Sequence, residues 1–167
     1  MTYLATFSET ATGSGLARLR DGSSTTTGTN NKILWATNED LYGSSVCSVA
    51  SGVITLPVGY YYLLEGSTSA RSSINVFNLT MQFYDENSSA YIGTESFLSA
   101  NYANAGEDFQ TFSMDDASRV WVDATSTAGS ISFRQKVTST NINGWDAPQV
   151  GPRNWTGYGR CLVWRFD

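Results

Sequence analysis

A chain of 167 residues with 15% charged residues, 13% aromatic residues and a formal net charge of −5 is long enough to bury one respectable core. Low charge with many aromatics excludes a disordered tail and suits a β protein better than a helical bundle. No basic run exists to release counterions from phosphates, so nucleic acid is excluded as a partner. The longest apolar run is about five residues, far short of the roughly 20 a membrane helix needs, so no membrane insertion is expected. Met1 is followed by polar residues with no secretory pattern, and the chain reads as soluble.

Residues 2–9 predict a first strand with Tyr3, Ala5 and Phe7 on one face. From Thr10 to Lys32 the chain is rich in Gly, Ser and Thr, interrupted by Leu16 to Arg20. The ordinary expectation is a surface loop with a short strand in it. The functional alternative is an arm that docks on a larger acidic assembly through Tyr3, Arg18 and Arg20. Ile33-Leu34-Trp35 resumes the sheet and Asn38-Glu39-Asp40 turns it.

Gly52 to Gly66 organises the rest. Val53, Ile54 and Leu56 form a short strand, Pro57-Val58-Gly59 a turn, and Tyr60, Tyr61, Tyr62, Leu63 and Leu64 follow without a polar break. A half-buried antiparallel strand alternates polar with apolar residues. This one does not, so both its faces are expected to need cover. Residues 74–84 alternate cleanly, with Phe77, Leu79, Met81 and Phe83 against Asn78, Thr80 and Gln82. A polar turn at 85–89 leads to a strand beginning Tyr91-Ile92-Gly93, then a loop at 99–108. Short strands follow at 109–114, 119–123 and 130–137. The closing strand, 160–166, runs Cys161-Leu162-Val163-Trp164 and is again expected to be covered on both faces. No ten-residue stretch has helical spacing. Short strands with turns every 8–12 residues predict an all-β, single-domain antiparallel sandwich or jelly roll over 1–167, with long loops at 10–32 and 139–159.

The chemistry is sparse. The chain has no His, which removes the commonest general base, the Ser-His-Asp and Cys-His arrangements and the commonest metal ligand. Asp115 with Asp116, Glu107 with Asp108, and Asp85 with Glu86 are the acid pairs a glycosidase would need. Each pair lies in a polar turn, where solvated carboxylates are the ordinary outcome, and no calcium-loop spacing appears. Cys47 and Cys161 lack zinc spacing. Buried free thiols are expected, with a mutual disulfide as the alternative. Asn78, Asn87 and Asn154 head glycosylation-type triplets that arise by chance in a chain rich in Ser and Thr. No enzyme, metal or cofactor is therefore expected. The 139–159 loop is the one recognition candidate, with Trp145, Asp146, Trp155 and Tyr158 available to stack on a sugar or pack on a protein. The alternative is that these aromatics staple the loop to its own sheet.

The order of features resembles the complement/tumour-necrosis-factor-like trimeric jelly roll, in particular its bacteriophage versions. The matching pieces are Ile33-Leu34-Trp35, Ser51 to Tyr62, the Phe77–Phe83 strand, Gly93-Thr94-Glu95-Ser96 and Leu162-Val163-Trp164. The resemblance implies a homotrimer whose threefold contact is lined by the two doubly apolar strands, with Trp35, Tyr60, Tyr61, Tyr62, Leu64, Leu162, Trp164 and Phe166 as contact residues. It places the two chain ends at the base and the 139–159 loop at the tip. Without a stalk or anchor ahead of it, the domain reads as a bare head. The expectation is a non-enzymatic virion protein, assembled in the host cytoplasm and displayed on the particle. It would be a capsid decoration (cement) protein bound to the major capsid protein or another virion protein. The alternative is the receptor- or glycan-binding head of a tail or head fibre, with a host surface glycan or receptor as partner.

Overall fold

The computed structural model describes residues 13–20, 32–35, 37–72, 76–101, 110–113, 116–138 and 159–167. Among them run eleven strands and no helix: β1 (Gly15–Arg20), β2 (Thr37–Tyr42), β3 (Ser48–Ala50), β4 (Val53–Leu56), β5 (Tyr61–Ser72), β6 (Val76–Asp85), β7 (Ala90–Asn101), β8 (Gln110–Ser113), β9 (Ser118–Asp123), β10 (Gly129–Thr138) and β11 (Gly159–Phe166). They form two antiparallel sheets. The six-stranded sheet has the order β2-β1-β11-β5-β8, with β9 also paired to β5, and the five-stranded sheet has the order β3-β4-β10-β6-β7. The chain is all-β and sandwich-like.

The two sheets meet over one core. Ala17, Leu19, Tyr62, Leu64, Val120, Cys161 and Val163 enter from the six-stranded sheet; Ile54, Leu56, Met81, Phe83, Ile131 and Phe133 enter from the other. Phe133 is the hub, with Phe83 at 4.9 Å and Trp35 stacked at 6.4 Å between ring centroids. Gly66 makes the close approach possible. A Cβ there would lie 2.8 Å from Phe83 and 3.3 Å from Phe133, so only glycine lets the rings reach β5.

Residues 99–101, expected to open a loop, extend β7 instead, and three further expectations change. Asn38-Glu39-Asp40 does not turn the chain but lies inside β2, paired to β1; a polar edge strand carries no apolar signal to reveal it. Ile33 to Trp35 lie outside any strand. They enter the core while Ile33 N–H donates to the Phe133 carbonyl at 2.9 Å and Lys32 bridges Arg134. The third concerns the tyrosine-leucine run, which alternates after all: Tyr62 and Leu64 point inward and are fully buried, while Tyr61 and Leu63 point outward. Residues 2–9, 102–108 and 139–158 lie outside the described residues, and with them Tyr3 and the expectations placed on those segments.

Candidate functional site

Cross-strand register determines what the six-stranded sheet shows to solvent, because directly opposed residues share a face. Leu16 of β1 pairs with Tyr42 of β2 and with Trp164 of β11. Trp164 pairs with Leu63 of β5, which pairs with Trp121 of β9. One nonpolar or aromatic residue from each of five strands thus forms a continuous outward row, Tyr42-Leu16-Trp164-Leu63-Trp121. Trp121 is 66% exposed and Tyr42 42% exposed, while the three between them are half-buried by their neighbours. On one side lies Phe166, paired to Tyr61, with its ring 5.3 Å from that of Trp121.

On the other side of the row stand charges. Arg18 meets Glu39 at 2.6 Å, and Arg119 meets Glu65 at 2.7 Å, with Leu162 between them in register. These are rim pairs in the sense that they border an apolar strip and are themselves solvated, each contributing little to stability. Contiguous apolar surface is a feature that protein interaction sites commonly present.

The expected contact residues divide accordingly. Tyr61, Leu162, Trp164 and Phe166 lie on this outer face. Trp35, Tyr62 and Leu64 do not: this chain's own core encloses them, since period-two alternation turns Tyr62 and Leu64 inward and Trp35 stacks on Phe133. They leave the contact set. Tyr60 is half-buried beneath Arg165, whose guanidinium sits 4.7 Å from the ring centroid. Leu16, Tyr42, Leu63 and Trp121 join the set. Trp121 was legible in Arg119-Val-Trp-Val-Asp123, where two inward valines force the tryptophan outward. Arg18, expected to dock, is engaged with Glu39, and Arg20 pairs through its backbone with Arg160. Trp145, Asp146, Trp155 and Tyr158 lie outside the described residues.

Two buried arginines went unread in the sequence. Arg165, 7% exposed, donates to the carbonyls of Gly13, Ser44 and Ser45, the latter two at 3.3 and 3.2 Å, and so ties three segments together. Arg134 lies on the outer face of the five-stranded sheet over the Tyr84 ring at 3.8 Å and donates to both Glu86 oxygens at 2.6 and 2.5 Å. Burial alone would raise the Glu86 carboxyl pKa; hydrogen bonds from Arg134 and Ser132 and the charges of Arg134 and Lys32 outweigh it and hold the pKa below its usual value.

Cys47 and Cys161 are free and buried. Burial first, then the Asp40 charge, pushes the Cys47 thiol up to about 12, and burial likewise holds Cys161 well above its ordinary value. Neither is a thiolate nucleophile at neutral pH. Among the described residues no group of three or more His, Cys, Asp or Glu side chains could hold a metal ion. Of the acid pair Asp85 and Glu86, Asp85 serves the turn, accepting from the Asn87 N–H at 3.0 Å and from the Ser88 hydroxyl at 2.7 Å, and Glu86 is taken up by Arg134. No family model matches the chain, and no curated protein matches it.

Proposed function

We propose that this chain is a non-enzymatic structural subunit that self-associates as a homotrimeric jelly roll through the outer face of its six-stranded sheet, and that it serves as a decoration (cement) protein on a phage capsid. The observation that carries self-association is the five-strand apolar row ending in the exposed Trp121. Burying one large side chain that solvent would otherwise touch contributes about 1.5–3 kcal/mol. Several such residues per subunit suffice to make assembly obligate, and stability then depends on protomer concentration. The virion assignment is supported by the sequence resemblance to phage trimeric heads.

Light scattering and sedimentation across a dilution series test the assembly. Trimers are expected for the wild-type chain, and Trp121→Arg should yield folded monomers. A folded wild-type monomer at micromolar concentration would remove the basis for the trimer. Binding to emptied or expanded capsids, with a rise in their disruption temperature, tests the decoration role. Adsorption to host cells without capsid binding would instead favour the fibre head.

A further inference from the structure

The side of the sandwich where β9 faces β7 is closed over only half its length. At Arg119 the closure comes from one side chain: Thr94 Oγ1 accepts the Arg119 N–H at 2.8 Å and donates to its carbonyl at 3.4 Å. Ser118 donates to the Thr94 carbonyl at 2.5 Å, and Ser96 to the Asp116 carbonyl at 2.6 Å. Gly93, at φ +76°, permits the contact, since a Cβ there would lie 2.2 Å from the Arg119 carbonyl. Past Arg119 the two edges part around a cleft of about 570 Å³. Its floor is apolar (Ile92, Val120, Val122 and Ile131), and its rim carries Asp85 and Asp123.

The β9 edge in this cleft is chemically open. Antiparallel pairing directs alternate residues' backbone groups to opposite edges. Arg119 turns its N–H away from β5 to Thr94, and Ala124 N–H bonds Tyr60 at 3.0 Å. The residues in phase with Arg119, namely Trp121 and Asp123, therefore present N–H and C=O to the cleft, with no partner among the described residues. The rim carboxylates likewise have no ion pair among the described residues. Thr125 hydrogen bonds hold the Asp123 pKa below its usual value, keeping it charged. An edge with unmet backbone groups, an apolar slot beneath and negative charge beside it matches one kind of occupant.

We infer that the Trp121–Asp123 edge of β9 is a strand-addition site for an extended segment of another polypeptide that alternates Lys or Arg with small apolar residues. Backbone bonds to Trp121 and Asp123 provide attachment, and alternate side chains reach the slot and the carboxylates. The site uses main chain and cleft, and it borders the proposed self-association face at Trp121.

The probe is a fluorescently labelled hexapeptide, Thr-Lys-Val-Lys-Val-Thr, titrated against the full chain by anisotropy, with a counterpart carrying Glu for both Lys. The lysine peptide should bind about tenfold tighter than the glutamate peptide at low salt. Asp123→Asn should cut that preference about threefold, and N-methylation of the central peptide bonds should abolish binding. Hydrogen exchange of the Trp121 amide should slow in the complex. Equal affinity for both peptides, binding that survives N-methylation, unchanged Trp121 exchange, absence of binding, or displacement of the peptide by neutral oligosaccharides would each overturn the inference.

Discussion

The two sheets share one core and treat their outer faces in opposite ways. On the five-stranded sheet the outward tyrosines are paired with cations, although Phe97 stays 56% exposed: Arg134 stands over Tyr84, Lys136 lies 5.7 Å from the Tyr91 centroid and bonds Glu95, and Tyr84 meets Tyr91 edge-on at 5.1 Å. Glu86 receives both Arg134 and Lys32. On the six-stranded sheet the charges pair at the border of the apolar row, and Trp121 at its end is 66% exposed. Around Tyr84 and Tyr91 the first face is satisfied within the chain, whereas the second carries an apolar row that runs across five strands. A strand that is apolar at consecutive positions thus need not be buried twice in its own fold; its outer half can remain at the surface.

Arg134→Ala tests the satisfied face most severely. It leaves a partly buried Glu86 without its bidentate partner, and unfolding in urea should show a loss of about 2–3 kcal/mol, since breaking a buried pair is far worse than never having it. If the loss were as small as that for a surface residue, the two faces would not differ in kind. Next in size is a pH effect. The folded Glu86 carboxyl titrates below its ordinary value, so its contribution is fully present above about pH 4.3 and is lost as pH falls through the lowered value. Glu86→Gln should therefore lower stability at neutral pH and flatten the acid limb of the stability curve; an unchanged limb would show that the carboxylate is idle. The smallest effects belong to the other sheet. Trp121→Ala should change monomer stability by no more than about 0.5 kcal/mol while weakening self-association, and Arg18→Ala should change stability by less than about 1 kcal/mol. A large stability loss at Trp121 would mean that its ring belongs to the fold and not to an interface.

Much of this was legible. The positions of the strands from β4 onward were readable from runs of apolar and aromatic residues between polar turns, and Phe83, Ile54 and Leu56 were recognisable as core. The outward row was hidden for a physical reason: Tyr61 to Leu64 are nonpolar at every position, so periodicity cannot say which pair faces inward. That depends on β11 and β9 flanking β5, which is long-range information. Arg134 and Arg165 were missed because a charged residue in a strand ordinarily points to water, and only tertiary carbonyls, a carboxylate and an aromatic ring reverse that. Asn38-Glu39-Asp40, inside β2, reads as a turn because polar edge residues and turn residues have the same composition.

Thr94 has a consequence for how the sandwich comes apart. A single hydroxyl stands in for a neighbouring strand at Arg119, serving both backbone groups of that residue. The seam joining the two layers there is held by side-chain hydroxyls, those of Thr94, Ser118 and Ser96, and not by a strand ladder. Deuterium uptake at the Arg119 amide gauges the Thr94 contribution, and Thr94→Val, which swaps the hydroxyl for a methyl, should raise that uptake while the Ser118 and Ser96 bonds remain.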